Sequence, residues 1–108
     1  MKNLLLFTLT FFLCFDLKTE VTLKAKSPED KDLNCITILE LAASKSKSAG
    51  EMIKYEKIIK LKKGYTGKYE ENHFSEKIIQ SKTNDHNLII KEKGQRYINK
   101  NLQKCGLK

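Results

Sequence analysis

Apolar side chains recur every three or four residues along much of the chain, which is the period of a helix with one buried face. The first such stretch, residues 32–44, places Ile36 and Ala43 on a common face that other apolar residues widen. Residues 51–63 and residues 70–82 repeat the pattern. The sequence therefore predicts three successive helices over these ranges.

Short polar segments separate the three helices. They are residues 44–50 (SKSKSAG), 65–69 (YTGKY) and 83–87 (TNDHN), read as a linker, a loop and a turn. Gly64 follows a basic last turn and is a natural end for the second helix. Glu70 and Glu71 fall in the first turn of the third helix, where the helix dipole favours negative charge.

The last segment, residues 88–105, allows two interpretations. It forms one helix with Ile90, Tyr97 and Leu102 directed inward, or two short strands on either side of Gly94. The helix is preferred. The predicted fold class is then all-α, a small bundle of three or four short helices.

The beginning of the chain has the pattern of an export signal. Lys2 precedes a run of 12 mostly apolar residues, 4–15, and charged residues then end the run. A membrane-spanning helix needs about 20 apolar residues, so an uncleaved anchor is the weaker interpretation. We expect a signal peptide over residues 1–25, cleaved somewhere between residues 15 and 25.

The mature chain is predicted to have two parts. Residues 26–32 are interpreted as a flexible leader, and residues 33–108 as a small helical domain. Ser27, Pro28 and the two acids after them also resemble a helix start, with a capping serine and a proline at the first position.

Two cysteines remain once the presumed signal, which contains Cys14, is set aside. Cys35 and Cys105 are an even pair, so in an oxidising compartment they are expected to form one disulfide that closes the bundle. A disulfide between two chains is the less favoured alternative. We expect a secreted or periplasmic protein.

Lysine dominates the charged residues of the chain. There are 21 basic and 13 acidic residues, a formal charge of +8, and Arg96 is the single arginine. Specific reading of phosphates and bases usually relies on arginine, because its planar fork binds bidentately. The lysines therefore predict a solvated face with non-specific attraction to anionic surfaces, and no specific nucleic-acid partner is expected.

The residues that could carry chemistry do not form a catalytic pattern in the sequence. His73 and His86 are in no metal-ligand or nucleophile spacing and are interpreted as surface residues. We expect no catalytic residues, no metal and no cofactor, and we do not expect an enzyme. Tyr65, Lys68 and Tyr69 lie in or beside the predicted second loop and are the candidate partner contacts, whereas the tyrosines at 55 and 97 are expected in the core.

The two cysteine segments, NCITILELAAS from residue 34 and NLQKCGLK from residue 101, resemble those of small bacterial periplasmic proteins. In such proteins a first-helix cysteine pairs with a last-helix cysteine, which implies a compact helical fold and an exported location. The early-to-late pairing is also similar to short-chain helical cytokines of the interleukin-4 kind, and secretoglobins share the layout but join two chains. Residues 88–98 faintly resemble the wing of a winged-helix DNA-binding domain.

These observations favour an exported small helical binding or scaffold protein without catalytic activity, whose partner is an unknown protein or receptor. One alternative is a secreted signalling ligand or effector that acts on a receptor. The other, less favoured, is an intracellular basic winged-helix DNA-binding protein.

Overall fold

The computed structural model describes residues 25–108, which contain four helices and no strand. The helices are α1, Pro28–Ser48; α2, Met52–Thr66; α3, Glu76–Lys93; and α4, Gln95–Lys104. The predicted all-α bundle with one disulfide is confirmed. The expected signal peptide lies almost wholly outside the described residues.

The first helix begins at Pro28 because the residues around it cap the helix N-terminus and place negative charge in the first turn. The side chain of Ser27 accepts a hydrogen bond of 3.1 Å from the backbone N–H of Asp30, and two acids occupy the first turn. Residues 28–32 are therefore helical rather than part of a flexible leader, and the helix starts five residues before the domain boundary expected at residue 33.

The helix α1 also runs further than its sequence predicts, because most of residues 44–50 belong to it. Ser46 is buried, so packing outweighs the weak helix propensity of the serines. Lys45 and Lys47 fall in the last turn, where cations suit the helix dipole. The turn that follows depends on Gly50, whose positive φ of 77° favours glycine.

The third helix is displaced along the sequence from its predicted position. Ser75 caps its start by accepting from the backbone N–H of Ile78 at 3.2 Å, so Glu70 and Glu71 lie in the preceding loop and not in its first turn. The turn predicted over residues 83–87 is wrong, since these residues are in the middle of α3. Tertiary packing of the helix overrides their local preference for turns.

Gly94 divides the last segment into two helices. Its φ of 68° lies in the left-handed region, and its N–H caps α3 by donating to the carbonyl oxygen of Ile90 at 2.7 Å. The prediction of one helix over residues 88–105 is therefore wrong at this residue. Residues 88–98 hold no strand either, so they contain no wing of the winged-helix kind.

The helix α1 lies at the centre of the bundle, between α2 and α3, which do not pack against each other. α2 is antiparallel to α1, as the pairs Lys62–Glu40 at 2.5 Å and Lys68–Asp32 at 3.4 Å indicate.

α3 runs parallel to α1. Lys82 of α3 contacts Asp30 near the start of α1, and His86, further along α3, contacts Thr37, further along α1.

The central position of α1 explains its unusual sequence. Residues 35–39 are all buried, so this helix is covered on every side and has no simple apolar stripe. The core it forms with the other helices consists of Cys35, Ile38, Leu39, Ala42, Ala43, Ile58, Tyr97, Ile98, Leu102 and Cys105. The disulfide between Cys35 and Cys105 lies within this core and joins α1 to the residue that caps α4. Across residues 25–108, no helix combines the length and apolarity needed to cross a bilayer.

Candidate functional site

The segment of irregular backbone between α2 and α3, residues 67–75, is held against the first turns of α1 and is called here the 67–75 loop. A carboxylate oxygen of Asp32 accepts a hydrogen bond from the hydroxyl group of Tyr69, and the ammonium group of Lys68 lies 3.4 Å from the other oxygen. The hydrogen bond to this carboxylate raises the pKa of Tyr69 to about 12. The loop is thus fastened to α1 near its beginning.

A second contact fastens the far end of the loop. Nε2 of His73 donates to Oε1 of Glu29 across 2.7 Å. The ring of His73 stacks on Tyr69 with 4.8 Å between centroids, and Phe74 packs with its edge towards both rings. These three rings are called the aromatic cluster. Such offset and edge-to-face contacts contribute to stability beyond the area they bury, so the aromatic cluster stabilises the conformation of the loop.

The neighbouring helix α3 is fastened to the same turn of α1. A carboxylate oxygen of Asp30 lies 3.1 Å from the ammonium group of Lys82, and the other accepts from the backbone N–H of Lys26 at 3.0 Å. The backbone hydrogen bond, with Lys82 assisting, holds the pKa of Asp30 below its ordinary value. Three acids in the first turns of α1 therefore position both the loop and the helix that follows it.

A pocket of about 460 Å³ opens between the aromatic cluster and α3. Apolar and aromatic walls come from Ile36, Phe74 and Ile79, and Glu70 and Glu71 place carboxylates among the lining residues. A carboxylate-lined pocket with apolar walls suits a positively charged group on an apolar stem, as lysine and arginine side chains are. This local negative charge contrasts with the basic character of the whole chain.

The three predicted partner contacts lie together at the junction of α2 and the loop. The ammonium group of Lys68 is 5.1 Å from the ring centroid of Tyr65 and shares Asp32 with Tyr69. Both tyrosines are half-buried, and the hydroxyl group of Tyr65 donates to the carbonyl oxygen of Cys105 at 2.6 Å. Their hydroxyl groups therefore stabilise the fold, and a role of these residues in partner contact stays a prediction.

The interpretation of His86 as a surface residue is wrong. Its exposure is 1%, and it lies in the middle of α3 between α1 and α4. Nε2 is 2.9 Å from the hydroxyl oxygen of Thr37, and Nδ1 is 2.8 Å from the hydroxyl oxygen of Tyr97. His73, the other histidine, is exposed as predicted.

The hydrogen-bond partners assign the tautomer of His86. The hydroxyl group of Thr37 donates to the carbonyl oxygen of Leu33 at 2.9 Å, so its oxygen accepts from Nε2–H. Nδ1 is then the unprotonated nitrogen and accepts from the hydroxyl group of Tyr97. Burial lowers the pKa of His86 to about 4, and burial also raises the pKa of Tyr97. The imidazole is therefore neutral at physiological pH and serves to join three helices.

The spacing of residues around His86 is that of a buried helical face, although the turn predicted over residues 83–87 interrupts it. Ile79, Thr83, His86 and Ile90 follow one another at steps of four, three and four residues, which is the spacing of one helical face. With residues 83–87 in a helix, this spacing places His86 on the face that packs against the core. Tyr97 is buried as expected, and Tyr55 packs half-buried against the core.

In the part of the chain that the structure describes, no group of three or more histidine, cysteine, aspartate or glutamate side chains is placed to hold a metal ion. Comparison with known proteins gives no relative: no family model matches the chain, and neither a curated protein nor a solved structure matches it.

Proposed function

We propose that this protein is an exported, non-catalytic binding domain that presents the 67–75 loop to a protein partner. The observation that carries the proposal is the way in which the loop is held. Its nine residues have no regular backbone structure, yet side chains at both ends bind the first turns of α1. Loops placed on a rigid scaffold commonly carry binding function.

A loop that is already held in one conformation loses less entropy when it binds. Ordering each rotamer-rich side chain at an interface costs about 0.5–1.5 kcal/mol, and a preformed surface avoids part of that cost. Phe74 and the exposed Glu71 lie on the loop, which offers an aromatic anchor beside a carboxylate. Aromatic anchors in well-packed settings are the residues that usually dominate interface energies.

The core disulfide supports the exported part of the proposal. Cys35 and Cys105 are bonded across the bundle, and such bonds persist in oxidising compartments. The signal-like pattern of residues 1–25 agrees with the same location.

A binding role also agrees with how the polar residues are used. His86 is enclosed by its two hydroxyl partners, and His73 binds Glu29, so both histidines take part in holding the fold together. The pocket beside the aromatic cluster fits a basic side chain of a partner, because carboxylates and apolar walls line it.

Site-specific photocrosslinking in the exporting cell tests the proposal. A photoreactive phenylalanine analogue replaces Glu71 in one variant and Leu88, an exposed residue in the second half of α3, in another. We expect a defined crosslinked protein from position 71 and none from position 88. Equal products from both positions, or none from position 71, would refute the loop as the binding surface.

A second pair of variants tests the predicted contacts within the same experiment. Lys68→Ala removes an exposed ammonium group, and Lys91→Ala, on α3, removes another as the matched control. The proposal expects the crosslink at position 71 to weaken in Lys68→Ala only. If both variants reduce it alike, the attraction is the general effect of lysine charge.

A further inference from the structure

The start of α2 carries the most exposed large apolar side chain of the described residues. Ile53 is 76% exposed, and Met52 beside it is 49% exposed. Single exposed apolar residues are common on protein surfaces, but two adjacent ones at the end of a helix form a continuous exposed apolar surface. Met52 and Ile53 together are called the α2 tip.

Lysine residues line the same groove as the α2 tip. The tip lines a shallow groove of about 570 Å³ together with Leu107 and with the lysines at positions 54, 57 and 108. Glu51 is the single acidic residue among the groove's described lining residues, so the three lysines outnumber it. Apolar side chains ringed by lysines are the pattern of a surface that meets anionic lipid, because the apolar groups enter the interface while the ammonium groups contact the headgroups.

The backbone at this end of α2 adds to the same electrostatic preference. Glu51 precedes the helix but makes no side-chain hydrogen bond to its N–H groups, and the first turn contains no acid. The N-terminal N–H groups and the positive end of the helix dipole therefore favour an anion such as a lipid phosphate.

The shape of the surface favours a bilayer over a peptide. A groove that receives a peptide helix recesses its apolar side chains, whereas three quarters of the surface of Ile53 is exposed. Lysine supplies 20 of the 21 basic residues, and lysine acts on anionic surfaces as a mobile point charge without bidentate geometry. We propose that the α2 tip, with Lys54, Lys57 and Lys108 around it, docks the protein on the surface of an anionic lipid bilayer.

This docking goes beyond the binding role of the 67–75 loop, because the two surfaces lie at opposite ends of α2. The helix has 15 residues, which is about 20 Å of axial length. A protein docked by the α2 tip would therefore present the loop away from the lipid surface.

The chain contains no tryptophan, so a single introduced tryptophan reports on one position. The variants Ile53→Trp and Leu88→Trp are mixed with vesicles of phosphatidylcholine alone and with vesicles of equal parts phosphatidylcholine and phosphatidylglycerol. Leu88 is a matched control because it is an aliphatic residue that is 64% exposed and lies on α3. We expect a blue shift and quenching by brominated lipid for Ile53→Trp on the anionic vesicles only, and neither for Leu88→Trp.

Vesicle sedimentation measures the contribution of each group. We expect Ile53→Ser to weaken binding to the anionic vesicles roughly tenfold or more, since an isoleucine leaves the interface. Lys54→Gln and Lys57→Gln should each weaken it about fivefold, and Leu88→Ser should leave it unchanged. All variants are purified from the exporting cell in their processed form, so that the apolar run over residues 4–15 does not contribute to vesicle binding.

Three results would overturn the docking proposal. They are an unchanged Ile53→Trp emission, equal changes at positions 53 and 88, and equal binding to zwitterionic and anionic vesicles. A concentration-dependent dimer that Ile53→Ser abolishes would also overturn it, because a second copy would then cover the tip. None of these results alters the photocrosslink at position 71, so the two proposals fail separately.

Discussion

His86 of α3 donates a hydrogen bond from Nε2 to the hydroxyl oxygen of Thr37 of α1, 2.9 Å away in the centre of the bundle. Tyr97 of α4 donates to the other ring nitrogen at 2.8 Å, and Thr37 donates onward to the carbonyl oxygen of Leu33. Three helices thus share one chain of buried polar groups whose donors are all satisfied. Such a network specifies a single packing arrangement, because any shift leaves a polar group unpaired.

The buried neutral histidine makes stability depend on pH. The pKa of His86 is lowered from 6.5 to about 4, so between these values the unfolded chain binds a proton that the folded chain does not. The contribution of His86 to the free energy of unfolding is complete above pH 6.5 and decreases as the pH falls towards 4. The shift corresponds to about 3 kcal/mol of the free energy of unfolding.

Urea unfolding at several pH values checks this dependence. His86→Gln should reduce the loss of stability between pH 6.5 and 4, whereas Asn87→Gln, at the exposed neighbouring position on α3, should retain it. If His86→Gln kept the full dependence, or Asn87→Gln lost it, the buried network would not be its cause.

Removing either hydroxyl group that bonds to His86 should lower the free energy of unfolding, because a buried polar group is then left unpaired. Thr37→Val keeps the side-chain shape but leaves Nε2–H without an acceptor, so we expect it to destabilise the fold by about 1–3 kcal/mol. Tyr97→Phe removes the donor to Nδ1 and should cost a similar amount. Thermal unfolding of both single variants and the double variant checks this, and simple additivity of the two losses would argue against a shared network.

The disulfide should supply much of the stability of so small a domain. It closes a separation of 70 residues, for which the loss of chain entropy in the unfolded state corresponds to about 4 kcal/mol. The variant with both Cys35→Ala and Cys105→Ala should unfold at markedly lower denaturant concentration than the oxidised protein. Reduction of the native protein provides the control, and equal midpoints for the oxidised and reduced protein would contradict the expectation.

The attachment of the 67–75 loop to α1 can be followed through the phenol of Tyr69. Its pKa is about 12 because Asp32 accepts its hydrogen bond, so Asp32→Asn should move the pKa towards the ordinary value of 10. Glu71→Gln, in the same loop, should leave it near 12. Titration by NMR of labelled tyrosine separates the four tyrosines, and an unchanged pKa in Asp32→Asn would mean that the loop does not rest on this carboxylate.

The fold class followed from apolar periodicity, but the helix ends depended on contacts that periodicity does not record. Ser46 belongs to α1 because it is buried, and residues 83–87 are helical because His86 is held by side chains from two other helices. The preferred single helix over residues 88–105 is interrupted at Gly94, whose backbone has a positive φ, whereas the turn predicted at Asn84 is absent because packing holds that residue in α3. The pairing of Cys35 with Cys105 was predictable because only two cysteines remain in the domain.

The candidate site was only partly predictable for a related reason. Tyr65, Lys68 and Tyr69 were expected near one another because they are close in the sequence. The acids that hold the loop, Asp32 and Glu29, are more than 30 residues away, and nothing in their spacing indicates the contact. Long-range side-chain pairs of this kind require the topology of the bundle to be known first.

The intact mass of the natively expressed protein, before and after reduction and alkylation, tests whether the chain is exported as a disulfide-closed domain. We expect a mass shortened by a segment ending between residues 15 and 25, two thiols that react only after reduction, and a Cys35–Cys105 peptide in a non-reducing digest. A full-length mass with thiols that react without reduction would contradict it.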